Sequence, residues 1–402
     1  MLTSAETERR SEFRSFARAE IAPHAARFDR AGAVDEDVVT KLAGAGYLDT
    51  AGMDEVTYGL LCEEVGAACS SVRSLLTVQN MVARTIARWG SAAQKGEWLP
   101  RLASGETIAA FCLTEPATGS DAATVQTSFE DAGDHWLVTG HKLWVTFGRR
   151  ADVFLVVGRA EGGTVAVLVP RDAEGVTLRP VEGQLGLRAA MLAEVVMDRC
   201  RVSKDATVGR VGFGFSHVAS TALDHGRYSV AWGCVGIARG CLDASAAYAV
   251  ERAQFGAPLR DHQLVRRMLT DMQVSTEAAR LMCIEAGRLR DASDPRSIEA
   301  TMAAKYFAST ILPRVTNDAV QVHGANGVDP RYAVERHFRD AKIMQIIEGT
   351  DQMHQLNLAD VALRGRPRPD AHTESGRPRR DAHTESGRPR PDARTESGRP
   401  RP

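Results

Sequence analysis

Apolar residues in this 402-residue chain change their period twice, and each period suits a different kind of secondary structure. Up to residue 108 they recur every three or four positions. In SEFRSFARAEIAPHAARF, Phe13, Phe16, Ala17 and Ile21 share one helical face, and TYGLLCEEVGAACSSVRSLLTVQNMVARTIARWG continues in that style. Between 109 and 208 the period is two. ATVQTSFE, HWLVTG, KLWVT, VFLVVGRA, TVAVLVP and AEVVMDRCRV are short and β-branched, with turn formers such as Asp131-Ala132-Gly133-Asp134 and Glu161-Gly162-Gly163 between them. From 209 to 364 helices return. RYSVAWGCVGIARGCLDASAAYAVERAQ carries small residues at Ala231, Gly233, Gly236, Gly240 and Ala244, which allow close helix approach, and Gly256 and Pro258 stop it. Pro313 is expected to kink a later helix, Asp329 to cap the helix that follows with Pro330 at its first position, and Thr350 or Asp351 to cap the last one. The expected fold class is α+β: an N-terminal all-helical domain (1–108), a middle antiparallel β-barrel domain (109–208) and a C-terminal helical bundle (209–364).

Composition narrows the function classes. Fifty basic residues nearly balance 51 acidic ones, leaving a formal net charge of -1 and no global field to draw the chain onto nucleic acid or membrane. The seven cysteines contain no C-x-x-C pair, so free thiols in a reducing cytoplasm are expected and no metal site. The charged start MLTSAETERRSEFRSFARAE lacks a signal-peptide core, and no apolar run is long enough to span a bilayer. From residue 365 GRPRPDAHTES repeats with variations at 376, 387 and 398; its proline, glycine and charge content predicts a disordered tail over 365–402.

One stretch promises chemistry. In KIMQIIEGTDQMH (342–354) a lone carboxylate, Glu348, follows Ile346 and Ile347. Burial beside them is expected to raise its pKa toward neutrality, where a carboxylate is an effective base. The chain has no G-x-G-x-x-G between strand and helix, no G-x-x-x-x-G-K-[ST] and no G-x-S-x-G elbow, which disfavours Rossmann, P-loop and α/β-hydrolase chemistry.

FCLTEPATGSD (111–121), GHKLWVTFG (140–148), YAVERAQFGAPLRDHQ (248–263), QVHGANG (321–327) and RDAKIMQIIEGTDQM (339–353) occur in the order and spacing of the acyl-CoA dehydrogenase family. The chain resembles that family from about residue 5 to 363. CSSVRSLLTVQNM and GRYSVAWGCVGIARGC are most similar to its acyl-ACP dehydrogenases, which make hydroxymalonyl- or methoxymalonyl-ACP extender units for polyketide synthesis. The resemblance implies a helical domain, a β-barrel and a four-helix bundle, with FAD between barrel and bundle. It implies flavin contacts from Phe111, Leu113, Thr114, Gly119, Ser120, Trp144 and Thr146, with Thr350 and Gln352 also on the cofactor. It assigns Arg252, Gln254, Phe255, Gln263, Gln321 and Gly324 to FAD as well, several of them reaching a neighbouring subunit's flavin, so a homodimer or homotetramer is implied. Substrate contacts fall to Ser120, Asp224, Arg227 and Gly349, and Glu348 becomes the catalytic base. An electron-transfer flavoprotein is the implied acceptor partner, and acyl-ACP or acyl-CoA the implied substrate.

Departures from the family pattern bear on the substrate. Gly226 precedes Arg227 where some relatives carry the base, so Glu348 has no rival. GAGYLDTAGMDEVTYG is a contracted form of a Gly- and Pro-rich loop, Ile347 replaces an aromatic, and Ala325 replaces a glycine. Thr77 and Gln79 at the implied pocket floor suit a short oxygenated acyl group. Arg149, Arg150, Arg266 and Arg267 are candidates for docking an acidic carrier protein. Three other readings stay open: an ordinary acyl-CoA dehydrogenase of fatty or amino acid breakdown, a non-catalytic helical scaffold, and an oxygen-using flavin enzyme on the same fold.

Overall fold

A computed structural model describes residues 1–50 and 52–364. Helices α1 (Ser4–Phe16), α2 (Ala25–Ala31), α3 (Glu36–Gly44), α4 (Glu55–Ala68), α5 (Ser70–Trp89) and α6 (Ala92–Ala103) come first. Their starts follow local capping chemistry. Thr3 and Glu6 form a reciprocal capping box on α1, as do Ser91 and Gln94 on α6, and the Asp54 side chain accepts the Thr57 N–H on α4.

Seven strands follow: β1 (Ala109–Cys112), β2 (Ser128–Asp131), β3 (His135–Val145), β4 (Val153–Ala160), β5 (Gly163–Pro170), β6 (Val176–Pro180) and β7 (Ala193–Ser203). They form one curled sheet in the order β1-β4-β2-β3-β7-β6, with β5 on β4. The domain is mainly antiparallel, as expected, with two parallel pairings that the sequence did not reveal. Both β1 and β2 run parallel to β4, because the chain between them is long enough to cross over rather than turn back. The remaining pairings in this sheet are antiparallel.

The last block holds α7 (Ser220–Glu251), a two-stranded hairpin of β8 (Ala253–Gln254) and β9 (Ala257–Pro258), then α8 (Gln263–Asp291), α9 (Ser297–His323), α10 (Ala333–Met344) and α11 (Asp351–Leu363). Long α7 packs against α8, α9 and α10 and also against α4 and α5. Its small residues permit this: a Cβ on Gly236 would lie 2.4 Å from the Glu63 carbonyl oxygen, and one on Gly66 would lie 3.3 Å from the Gly233 Cα. The α9 helix continues through Pro313. Asp329 does not cap α10, which starts at Ala333; its carboxylate accepts the Arg331 N–H in a preceding turn, a local bond open to Asp. Thr350 does cap α11, its hydroxyl accepting the Met353 N–H.

Both helical blocks contribute to a single hydrophobic core, from Phe13 and Leu61 to Trp232 and Met344, while the sheet has its own core around Phe154 and Val167. A third cluster joins β1 and β4 to α5 and the helical turn that precedes α7 through Val82, Leu155 and Val218. No helix among the described residues is long and apolar enough to cross a membrane. The chain divides after Ala362, and of the unit beginning at Leu363 only Leu363 and Arg364 are described; the predicted tail lies outside the described residues.

Candidate active site

Sheet, α5, α7 and the α10–α11 connection enclose a cavity of about 700 Å³. Its β side depends on a buried ion pair. Lys142 on β3 donates to the Glu115 carboxylate (2.7 Å) and the Leu113 carbonyl (3.0 Å), and Glu115 also accepts from the Thr127 hydroxyl and backbone N–H groups of Gln126 and Thr127. Burial opposes ionisation of Glu115, but these donors hold it down at about 2. The 111–121 loop is thus tied to β3, and the Leu143 N–H donates to the Thr114 carbonyl (2.9 Å). Next to that tie β3 breaks register between Lys142 and Val145, and Trp144 adopts a left-handed backbone with φ 59°. Its indole stays 52% exposed on the cavity wall. A strained, half-exposed tryptophan beside Phe111, Leu113, Thr114, Gly119, Ser120 and Thr146 offers a planar group one apolar face with polar atoms at its edge.

Glu348 stands on the opposite wall. It and Gly349 both take positive φ (55° and 88°), a reversal that turns the chain from α10 into α11. A non-glycine residue costs about 1 kcal/mol in this region, so the surroundings must hold it there. Lys305, fully buried on α9, donates to the Gly349 carbonyl (2.8 Å) and pairs with Asp351 (3.4 Å). Asp351 also accepts from the Ser309 hydroxyl (2.6 Å) and the Gln345 amide (3.0 Å). These bonds fix the base of the turn.

The Glu348 carboxylate itself has no such support. Its Oε2 is buried without a hydrogen-bond partner, and burial, opposed by Arg227, Lys305 and Arg73, pushes the carboxyl up to about 7. Direction and cause, burial, agree with the sequence expectation. Of the two isoleucines before it, Ile346 is 51% exposed and Ile347 partly buried. The α7 helix also closes on the acid: a Cβ on Gly226 would meet Oε2 at 2.4 Å and Cδ at 2.5 Å. Absence of a side chain at 226 makes the space in which the carboxylate sits.

Arg227, Gly349 and Thr350 also line the cavity. Asp224 does not, because Arg290 takes its carboxylate. Thr77 lines the cavity, its hydroxyl within 2.7 Å of both the Arg73 guanidinium and the Ser229 hydroxyl. Gln79 is turned to a structural task instead, donating to the Leu102 and Thr107 carbonyls and accepting the Ala109 N–H. Arg252, Gln254, Phe255 and Gln263 cluster at the exposed β8–β9 hairpin, with Phe255 98% exposed, and Gln321 and Gly324 are exposed at the end of α9. Gln352 is exposed on α11. None of these seven lines the cavity of its own chain. Of the arginines suggested for docking, Arg150 is engaged by Glu36 and Asp152, and Arg149 donates to the Gly32 carbonyl; Arg266 and Arg267 are exposed on α8.

Two titratable cavity residues escaped the sequence reading. Arg73 on α5 is fully buried, donating to Thr77 (2.7 Å) and Ser74 (3.2 Å), with no carboxylate partner and an orphaned Nε. A cation amid the small and apolar residues of CSSVRSLL was the available signal. His354, one turn into α11, is 1% exposed with both ring nitrogens unpartnered, and its sequence context carries no comparable mark.

Models of the acyl-CoA dehydrogenase N-terminal, middle and C-terminal domains match residues 3–106, 110–200 and 212–363. The chain belongs to the acyl-CoA dehydrogenase family. It is 36% identical over 370 residues to a probable acyl-CoA dehydrogenase, FadE25, of Mycobacterium tuberculosis, covering 89% of this chain and 95% of that one. Glutaryl-CoA dehydrogenase from Mycobacterium smegmatis in complex with FADH2 superposes with a TM-score of 0.86 at 30% identity, covering 90% of this chain and 95% of that one. FkbI, solved for its part in biosynthesis of the methoxymalonyl extender unit of the FK520 polyketide, superposes with a TM-score of 0.81 at 35% identity over 88% of this chain and 99% of that one. This acyl-CoA dehydrogenase is an FAD-dependent oxidoreductase, and the Trp144 wall fits the flavin ring that the family binds. FAD, when bound, supplies the hydride acceptor.

Proposed function

We propose that Glu348 is the catalytic base of this dehydrogenase and that its substrate is a short, oxygen-bearing acyl thioester carried on an acyl carrier protein, in polyketide extender-unit supply. The observation that carries the first part is the Glu348 carboxylate: it lines the cavity, its Oε2 is buried without a hydrogen-bond partner, and burial pushes it up to about 7. Such a group loses little on taking a proton and is ionised in useful amount at neutral pH. It accepts the proton from the carbon next to the thioester carbonyl. By the family resemblance, the Glu348 N–H donates to that carbonyl and so stabilises the enolate charge that develops there. Thr114, Ser120, Trp144, Thr146 and Thr350 would hold the flavin.

Substrate chemistry follows from the other polar residues in the cavity. The fully buried Arg73 guanidinium, whose partners are the Ser74 and Thr77 hydroxyls and the Met344 sulfur, with no carboxylate, is costly unless a ligand brings it an oxygen, and a fatty chain brings none. Likeness to FkbI supports the extender-unit setting and the carrier-protein substrate. Exposed Arg252, Phe255 and Gln263 support a homo-oligomer in which they reach a neighbour's flavin, and an electron-transfer flavoprotein is the partner that would reoxidise the cofactor. A second reading, an acyl-CoA dehydrogenase of catabolism, is favoured by the likeness to FadE25.

Anaerobic titration of the flavin-bound protein separates the two. A three-carbon hydroxyacyl thioester on a carrier protein should bleach the flavin faster than octanoyl-CoA; the reverse order would establish the catabolic reading.

A further inference from the structure

The cavity holds a second group of unpartnered polar atoms, over the residue that follows the base. A Cβ built on Gly349 would lie 3.2 Å from His354 Nε2 and 3.9 Å from Arg227 Nε. Both nitrogens are buried without a hydrogen-bond partner, as is His354 Nδ1. The other charged groups around the imidazole are engaged or specialised: Lys305 is held by the Gly349 carbonyl and Asp351, Asp351 by Ser309 and Gln345, and Glu348 is the proposed base. Burial, with Lys305 and Arg227 adding to it, lowers the His354 ring to about 4, so it is neutral at pH 7 and keeps one nitrogen as an acceptor. Leaving such a group unsatisfied is destabilising, and a ligand atom of matching chemistry would recover that loss. An acceptor and a cationic donor that both line the cavity beside Gly349, which has no side chain to stand between them, match a hydroxyl, which donates to the first and accepts from the second.

We propose that His354 and Arg227 form a hydroxyl-binding subsite over Gly349 that selects acyl thioesters bearing an alcohol on the acyl group. This rests on the reading of the substrate as a short oxygenated acyl thioester and names the residues that read the oxygen. His354 acts here as a specificity residue and takes no part in proton removal.

Redox-inert thioether analogues of a three-carbon acyl-carrier conjugate, with and without the hydroxyl, test it in the flavin-bound protein. Dissociation constants come from the perturbation of the flavin spectrum, independently of turnover. His354→Leu should weaken the hydroxylated analogue about 10-fold and leave the unsubstituted one unchanged, while His354→Gln, which keeps a hydrogen-bonding group, should retain most of the preference. Equal weakening of both analogues in His354→Leu, or no change in either, overturns the subsite. If the unaltered protein binds the two analogues equally, the substrate reading fails and the subsite with it.

Discussion

Glu63 and Glu348 are both buried carboxylates packed close to α7, and the fold treats them in opposite ways. Glu63 on α4 accepts from Arg10 (2.6 Å), Arg239 (3.0 Å) and Arg280 (2.8 and 3.1 Å). Burial opposes its charge, yet Arg280, Arg10 and Arg239 hold it down at about 2. Glu348 has three cations in its surroundings and no hydrogen bond from any of them, and burial prevails, to about 7. The difference teaches that burial alone does not set the chemistry of an acid; directed donors do. One carboxylate ties α1, α4, α7 and α8 together, and the other is kept ready for a proton.

The sharpest way to break this comparison is Glu348→Gln. Flavin reduction by substrate should fall by about 10³-fold while the protein still binds flavin, measured by anaerobic stopped flow; an undiminished rate ends the assignment. In the unaltered protein the logarithm of that rate should climb with pH at a slope of about one and level off above about 7, as the carboxylate ionises. The two acids also oppose each other in stability. Glu348 has a raised pKa, so its contribution is complete below 4.5 and lost as pH rises through about 7. Glu63 has a lowered one, so its contribution is present above 4.5 and lost as pH falls through about 2.

Glu63→Gln comes next in size. It leaves three arginines short of a buried counter-charge and should cost about 3 kcal/mol in urea unfolding, with turnover per folded molecule unchanged. A large loss of turnover without loss of stability would erase the distinction between the two sites. Gly226→Ala is the finest probe. Its methyl would enter the space of the Glu348 carboxylate, so flavin reduction should slow about 10-fold and the pH midpoint should move; an unchanged midpoint would show that something other than Gly226 covers the acid.

Much of the molecule was legible from its residues in order. Helical and alternating periods located the two helical blocks and the sheet, and Thr350 was one of two candidate caps for α11, the structure choosing it over Asp351. Glu348 stood out because an isolated acid after two isoleucines is unusual, and burial does raise its pKa, with α7 at Gly226 an added neighbour that the sequence did not reveal. Thr77 and Gln79 look alike as polar residues two apart on a helix, yet one faces the cavity and the other joins α5 to the loop and strand beyond α6. Nothing local distinguishes them. Asp224 and Arg227 lie one turn apart on α7, yet the carboxylate of the first is taken by Arg290 from α8 while the second lines the cavity.

Sequence alone determined the succession of helical, sheet and helical segments, since periodicity and capping act within a few residues of one another. It also determined the presence of an acid, a tryptophan and the hydroxyls of the cavity. Tertiary structure decided that two helical blocks separated by a sheet share one core, and that a glycine on α7 makes room for the carboxylate of a distant turn. It decided as well which buried polar groups meet a partner and which face the cavity without one. The physical reason is range: secondary structure depends on neighbours along the chain, whereas the protonation of a buried group depends on donors and cover from elements brought together only by folding.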